Sequence, residues 1–226
     1  MWCIIPAAGI GQRMGLNSPK QYLKLDSGKT IIEMTIAAVL NAKSIDGVVI
    51  ALNPNDIDFK TLNIQSAKPI VTCIGGQTRA ESVYQGLLFL NDKIDDAEFV
   101  CVHDAARPLV DPKDIDRLNA TAYNLDEAAG VILVAEMADT VKEVSNKKIT
   151  KTVDRSNLFR ALTPQTVKYR ILLESLLSAR RENLPITDEA SALEACDHSV
   201  EIVVGSSKNI KVTYPDDLAI VNALVG

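Results

Sequence analysis

The N-terminal segment carries the residue types that a nucleoside triphosphate site needs. An apolar run from Trp2 to Ile5 ends at Pro6, and small residues follow it at Ala7, Ala8, Gly9 and Gly11. Where side chains are small the backbone can approach a ligand closely, and exposed backbone N–H groups attract anions. Arg13 and Lys20 add two positive charges beyond the first glycines. We therefore expect this loop to hold a triphosphate.

The spacing of the glycines at positions 9, 11 and 15 matches neither familiar phosphate-binding motif. A P-loop places four residues between its glycines, and the dinucleotide fingerprint is one residue shorter than the G-x-G-x-x-x-G of this chain. An ordinary strand-to-helix turn explains such glycines equally well. The two added cations favour the phosphate site.

A second polar motif, HDAARP at positions 103–108, directly follows an apolar strand-like run. In open α/β sheets, ligands bind beyond the carboxyl ends of the strands. Asp104 is thus a candidate ligand for Mg2+ or for a ribose hydroxyl, and the alternative is an Asp104–Arg107 ion pair that stabilises the turn. We expect His103 to be structural, because a phosphate monoester is already ionised near neutral pH and needs no general base.

A third motif, GGQTRAES at positions 75–82, opens a helix. Thr78 and Glu81 form a capping box, so their side chains already have a structural role. Gly76 and Ser82 are the better candidates for recognition of a base. Arg79 is predicted to face either a phosphate or solvent.

Two more candidate cations lie in the second half of the chain. Arg155, taken singly, fits an ordinary surface charge. Lys211 alternates with Ile210 and Val212, which predicts a strand or a strand end and a lysine that points into a cleft or into water.

Strand-like runs alternate with helical patterns along most of the chain. The predicted strands are 2–5, 48–52, 70–74, 98–102, 131–135 and 200–204. Helices are predicted at about 30–41, 78–90, 113–124, 166–181, 188–196 and 216–224. This order indicates an α/β fold with a three-layer, mainly parallel sheet, and we expect one domain over residues 1–226.

The polar region at about 136–157 interrupts this alternation. Two β-prone stretches, 140–144 and 149–153, flank a turn-like sequence and predict an extended β-hairpin arm. A long charged hairpin has too little apolar surface to be stable alone. We therefore expect it to pack against a second copy of the chain in a homodimer.

The composition narrows the class of protein further. Hydrophobic residues make up 47% of the 226 residues, aromatic residues only 4%, and the net charge is −5. An acidic chain is not expected to bind nucleic acid, and no apolar run approaches the ~20 residues of a membrane span. The four cysteines lack metal-binding spacing and are expected to be reduced thiols of a cytoplasmic protein.

Together and in order, the motifs resemble one family over nearly the whole chain. The matching segments are PAAGIGQRM, PKQYL, GGQTRAESV, HDAARP, ALTPQ, ITDEAS and NIKVTYPDDL. They are similar to the 2-C-methyl-D-erythritol 4-phosphate cytidylyltransferases. The alternative is the ribitol-5-phosphate cytidylyltransferases, in which we expect HDAVRP and lack of the ALTPQ and TDEAS segments. A non-catalytic nucleotide-binding module is a further alternative, but it would have lost charged positions that this chain keeps.

The resemblance implies a fold similar to the Rossmann-like nucleotide-diphospho-sugar transferases. It also implies transfer of CMP from CTP to 2-C-methyl-D-erythritol 4-phosphate, with Mg2+ as cofactor. Arg13 and Lys20 would contact the triphosphate, Lys211 the α-phosphate, and Arg155 of a partner subunit the acceptor phosphate. The ribose, the metal or the acceptor hydroxyls would be bound by Asp104, Ala105 and Arg107. The cytidine pocket would be lined by Ala7, Ala8, Gly9, Gly11, Gly76 and Ser82.

Overall fold

A central sheet of seven strands organises the computed structural model, which describes residues 1–9 and 19–225. Two further strands, the sixth and seventh along the chain, form a separate small sheet. In chain order all the strands are β1 (Trp2–Ala7), β2 (Gly47–Leu52), β3 (Ile70–Ile74), β4 (Phe99–Val102), β5 (Gly130–Glu136), β6 (Val141–Ser145), β7 (Lys148–Val153), β8 (Phe159–Lys168) and β9 (Val200–Val204). The sheet has the order β3-β2-β1-β4-β8-β5-β9. Strand β8 runs antiparallel to both neighbours, and the other pairings are parallel.

Helices cover both faces of this sheet. They are α1 (Ile31–Asn41), α2 (Arg79–Leu90), α3 (Pro112–Ala122), α4 (Tyr169–Glu182), α5 (Glu189–Glu194) and α6 (Pro215–Val225). Short 3-10 turns cover Lys20–Tyr22 and Phe59–Thr61. Capping boxes start α1 at Thr30 and α2 at Thr78, and Asp111 caps α3 ahead of Pro112, as the sequence predicts.

Neighbouring residues of one strand point into two different cores. Cys3 and Ile5 of β1 pack in the cluster that includes Ile32 and Ile36 of α1. Ile4, between them, packs in the cluster with α2 and α4. Burial on both faces explains why these strands read as continuous apolar runs. The three-layer α/β fold expected from the sequence is therefore confirmed.

Strand β8 was not predicted, and helix α4 starts later than the sequence pattern predicts. The helix predicted from residue 166 begins at Tyr169, because residues up to Lys168 belong to β8. Pro164 argued against a strand here, since proline cannot donate a hydrogen bond within a sheet and is rare in central strands. The pairing with β5 shifts register beside Pro164, between the pairs Ile132–Gln165 and Val134–Ala161, and this irregularity accommodates the proline.

The predicted hairpin is present as a separate two-stranded sheet of β6 and β7. Asn146 and Lys147 at its tip both have positive φ, as in a two-residue type I′ turn. Val144 and Ile149 lie opposite each other and are 57% and 65% exposed. The arm thus presents an apolar pair that its own chain leaves uncovered.

Within residues 1–9 and 19–225, no helix combines the length and the apolar composition that a membrane span requires.

Candidate active site

A cavity of about 470 Å3 lies beyond the carboxyl ends of β1 and β4 and at the start of α2. Its position is the one expected for a ligand site in an open α/β sheet. The structure brings most of the predicted site residues to its wall. Those residues are Ala7, Ala8, Gly9, Lys20, Gly76, Ser82, Asp104, Ala105 and Lys211.

Lys20 stands on a 3-10 turn that is tied to the end of strand β1. The buried Gln21 donates from Nε2 to the carbonyl of Ala7 at 2.9 Å and to that of Gly9 at 3.4 Å. The Lys20 ammonium donates to the carbonyl oxygen of Val212 at 2.6 Å. These contacts place the lysine between the small-residue loop and the segment that carries Lys211.

Lys211 reaches the cavity from an irregular segment, and the predicted strand at this position is wrong. Residues 209–213 lie outside the sheet. The hydrogen bonds that hold the segment include one from Val212 N to the Ala106 carbonyl at 2.9 Å and one from Asn209 Nδ2 to the Thr163 carbonyl at 2.7 Å. Because Val212 is fully buried, its neighbour Lys211 points the other way, into the cavity.

Asp104 is the electrostatic centre of the site. Its Oδ1 accepts from Arg79 Nε at 2.8 Å, and its Oδ2 accepts from Lys211 Nζ at 2.9 Å and from Arg107 Nε at 3.3 Å. Burial alone would raise the pKa of Asp104, but Arg79, Lys211 and Arg107 outweigh burial and hold it well below its usual range. Asp104 is therefore ionised at any physiological pH.

Arg107 is not among the residues that line the cavity. It is 8% exposed, and its guanidinium donates to Asp104, to the carbonyl of Asn209 at 2.7 Å and to that of Ala161 at 3.5 Å. The sequence-based alternative of an Asp104–Arg107 ion pair is thus present. Arg107 joins the loop after β4 to strand β8 and to the Lys211 segment, which is a positioning role.

Arg79 lies on the cavity wall and its guanidinium is held by two carboxylates, so it is not a simple solvent-facing charge, and its contact with a phosphate stays a prediction. It donates in a bidentate pair to Glu189 at 2.7 and 2.9 Å and also to Asp104. Burial would lower the pKa of Arg79, but Glu189 and Asp104 raise it instead. Glu189, within the ITDEAS segment, was not among the predicted site residues. Its signal was a second acidic residue directly after the helix cap Asp188.

Gly76 and Ser82 shape the loop that begins α2. The Ser82 hydroxyl accepts from Gly76 N at 3.2 Å and donates to the Thr78 carbonyl at 2.9 Å. A Cβ on Gly76 would overlap the Cβ of Glu81, so only glycine fits there. Both residues line the cavity, and their recognition of a base stays a prediction.

His103 is a buried structural residue, as expected. The Thr163 hydroxyl accepts from Asp104 N at 3.0 Å and therefore donates its own proton to His103 Nδ1, also at 3.0 Å. His103 Nε2 then donates to the Arg107 carbonyl at 3.1 Å. This bonding assigns the neutral ring with its proton on Nε2. Burial lowers the pKa of His103 to about 4.

His103 is expected to make the folded state sensitive to acid. Its folded pKa lies below the unfolded value near 6.5, so the unfolded chain binds the extra proton. The contribution is fully present above pH 6.5 and is lost as the pH falls towards 4, by up to about 3 kcal/mol. Urea unfolding from pH 7 to pH 4 should show a shallower loss for His103→Gln than for the wild type. His198→Gln, at the exposed second histidine, is the control and should keep the wild-type slope.

Besides Arg107, three predicted residues lie away from this wall or outside the described residues. Gly11 and Arg13 fall outside the described residues. Arg155 is exposed at the base of the hairpin arm, where it donates to the carbonyls of Met137, at 2.7 Å, and Ala138. It is not among the residues that line the cavity of its own chain.

The described residues include no cluster of three or more His, Cys, Asp or Glu side chains suited to a metal ion. Asp104 is the carboxylate on the described wall, and its oxygens already face cations. A site of this kind fits Mg2+ only when substrate phosphates supply most of the oxygen ligands, which is a common arrangement for this ion.

The fold and this cation-lined cavity define a nucleotidyltransferase of the nucleotide-diphospho-sugar transferase type. The family model described as IspD, 2-C-methyl-D-erythritol 4-phosphate cytidylyltransferase, matches residues 1–226. The chain belongs to this family.

Individual relatives and a solved structure support the same family. A 2-C-methyl-D-erythritol 4-phosphate cytidylyltransferase of Photorhabdus laumondii is 46% identical, over 96% of this chain and 91% of its own. One of Alteromonas mediterranea is 45% identical, over 95% and 88%. The crystal structure of the Francisella tularensis enzyme has a TM-score of 0.83 at 37% identity and covers 98% of both chains. The predicted family, rather than the ribitol-5-phosphate enzymes, is confirmed.

Proposed function

We propose that the cavity binds CTP, with the nucleoside against the small residues and the triphosphate against Lys20 and Lys211. The chain transfers CMP from CTP to 2-C-methyl-D-erythritol 4-phosphate and releases pyrophosphate, a step in isoprenoid precursor synthesis. The observation that carries the proposal is the convergence of Lys20, Lys211 and Asp104 on one cavity, whose wall also includes a set of small residues. Arg13, from the same N-terminal segment of the sequence, is proposed to add its charge to the triphosphate.

The small residues support a pyrimidine rather than a purine. Ala7, Ala8 and Gly9, at the end of β1, and Gly76 and Ser82, at the start of α2, line the same cavity. The loop of Gly76 is packed too tightly against Glu81 to recede, since even a methyl group there would overlap. A larger base would therefore have to displace backbone, which favours the single ring of cytosine.

The reaction needs positioned positive charge and no covalent nucleophile. The acceptor phosphate is already ionised and attacks the α-phosphorus, while negative charge grows on the phosphate oxygens. Ammonium groups fixed before the reaction stabilise that charge without reorganisation of solvent. Lys20 and Lys211 are held by Val212 and Asp104, and both can transfer to phosphate oxygens when CTP enters.

We propose Mg2+ as the cofactor, held by the phosphates of CTP with Asp104 as the protein ligand. When bound, the ion would neutralise part of the triphosphate charge. The low pKa of Asp104 supports this role, because an ionised carboxylate is a suitable ligand for the ion.

We also propose that the chain is a homodimer in which the arm at about 136–157 carries Arg155 to the partner's cavity. The exposed Val144–Ile149 pair supports a partner surface, and partly exposed Leu158 and Phe159 lie next to the arm. All four cysteines are free, which fits the reducing cytoplasm that we propose as its location. A role in nucleic-acid binding is not proposed, given the net charge of −5.

Pyrophosphate release tests the proposal. The purified chain is supplied with CTP and Mg2+, and with either 2-C-methyl-D-erythritol 4-phosphate or ribitol 5-phosphate. We expect release with the first acceptor only, and loss of release on chelation of the metal. Turnover with ribitol 5-phosphate alone would overturn the acceptor assignment, and turnover in the presence of a chelator would overturn the metal assignment.

A further inference from the structure

Glu189 is a buried charge whose side chain hydrogen-bonds, among the described residues, to Arg79 alone. It is the first residue of the short helix α5 and is 1% exposed. Both of its carboxylate oxygens accept from Arg79, at 2.7 and 2.9 Å. Burying a carboxylate is costly unless such a pair compensates it, so a buried glutamate here calls for an explanation beyond packing.

The partner of Glu189 is itself a wall residue of the active site. Arg79 uses its two terminal nitrogens for Glu189 and its Nε for Asp104, whose second oxygen holds Lys211. Ion pairs thus connect four residues in series, in the order Glu189, Arg79, Asp104 and Lys211. Glu189 is not among the residues that line the cavity, whereas the other three members are. Any effect of Glu189 on the reaction must therefore pass through Arg79.

The geometry indicates what Glu189 prevents. Without it, the two terminal nitrogens of Arg79, whose side chain is only 24% exposed, would lose their carboxylate acceptors, which is unfavourable. The adjacent acceptor is Asp104, and guanidinium groups prefer to bind a carboxylate in a bidentate pair with two parallel hydrogen bonds. Such a bidentate pair would occupy Asp104 Oδ2, the oxygen that now accepts from Lys211 at 2.9 Å. Lys211 would lose its fixed position.

We propose that Glu189 is a positioning residue for CMP transfer. It holds Arg79 so that only its Nε meets Asp104, which leaves Oδ2 to fix Lys211 beside the reacting phosphate. The inference rests on the function proposed above for Lys211. It assigns Glu189 no contact with either substrate.

Steady-state kinetics of Glu189→Gln test this role. We expect kcat to fall about tenfold to a hundredfold, the range that hydrogen bonds to charged groups represent, with KM for CTP nearly unchanged. Glu194→Gln is the matched control, since it makes the same change at an exposed position of the same helix. It should keep the wild-type kcat.

A double-mutant cycle with Arg79→Gln separates positioning from general destabilisation. If Glu189 acts through Arg79, the double variant should be no slower than Arg79→Gln alone. Thermal unfolding confirms that each variant is folded at the assay temperature. Should Glu189→Gln be unfolded there, Glu189→Asp replaces it, because it keeps the buried charge but shortens the reach by one methylene group; its kcat should also fall.

A folded Glu189 variant with wild-type kcat, or independent effects of Glu189→Gln and Arg79→Gln, would overturn the inference. Lys211→Ala is measured beside them. If Lys211→Ala keeps the wild-type kcat, the proposed function of Lys211 fails. If Lys211→Ala is slow and the Glu189 variants are not, the inference about Glu189 alone fails.

Discussion

Replacing Lys20 by alanine is expected to lower kcat about a hundredfold or more, the loss typical for removal of one preorganised charge-stabilising donor. The 3-10 turn fixes the lysine before substrate arrives, through the contacts of Gln21 with Ala7 and Gly9. The variant therefore loses a group that is already in place when charge develops on the phosphate. The measurement is steady-state pyrophosphate release with both substrates saturating.

Lys24→Ala is the matched control for this prediction. It removes the same charge four residues further on, at an exposed side chain that is not among those lining the cavity. Its kcat should equal that of the wild type. A Lys20→Ala protein that is folded and turns over at the wild-type rate would contradict the role proposed for Lys20.

Local sequence signals were sufficient for the framework of the site. The capping boxes at Thr30 and Thr78 fix helix starts through contacts only three residues apart, so they can be read directly from the sequence. The carboxyl ends of β1 and β4 then placed Ala7 and Asp104 at one edge of the sheet. Lys211, which is distant in sequence from both, was already a candidate from its alternation with apolar residues, and the resemblance added its role beside the α-phosphate.

Long-range partners could not be read in the same way. The Arg79–Glu189 pair joins residues 110 positions apart, and neither residue type is unusual at the start of a helix. Arg107 was expected near a ligand because its motif follows the carboxyl end of a strand, with an ion pair to Asp104 as the alternative. Its position depends on carbonyls of Ala161 and Asn209, which no local pattern reveals. Strand β8 was not predicted because it contains Pro164, which is accommodated by the register shift between β8 and β5.

The site is arranged so that its cations have protein acceptors before substrate binds. Asp104 pairs with Lys211, and the carbonyl of Val212 accepts from Lys20. These acceptors are adjacent in space because Lys211 and Val212 are neighbours in one segment. When a triphosphate enters, both lysines would therefore exchange these protein acceptors for phosphate oxygens together. A single irregular segment thus positions both charges.

Activity is expected to return when inactive Arg155→Ala and Lys20→Ala proteins are mixed and allowed to exchange subunits. In the proposed dimer each cavity combines Lys20 of one chain with Arg155 of the other. A mixed dimer then contains one intact site and one doubly altered site. With equal mixing, half of the dimers are mixed, so about a quarter of the wild-type activity should be recovered.

Lys20→Ala mixed with Lys211→Ala is the control, because both residues line the cavity of the same chain. In that mixture every site lacks one lysine, and activity should stay at the level of the separate variants. Subunit exchange is verified by isolating mixed dimers through a tag on one chain. If isolated mixed dimers of the Arg155 and Lys20 variants are inactive, Arg155 acts within its own chain or not at all. Its exposed position at the base of the arm, apart from its own cavity wall, favours recovery.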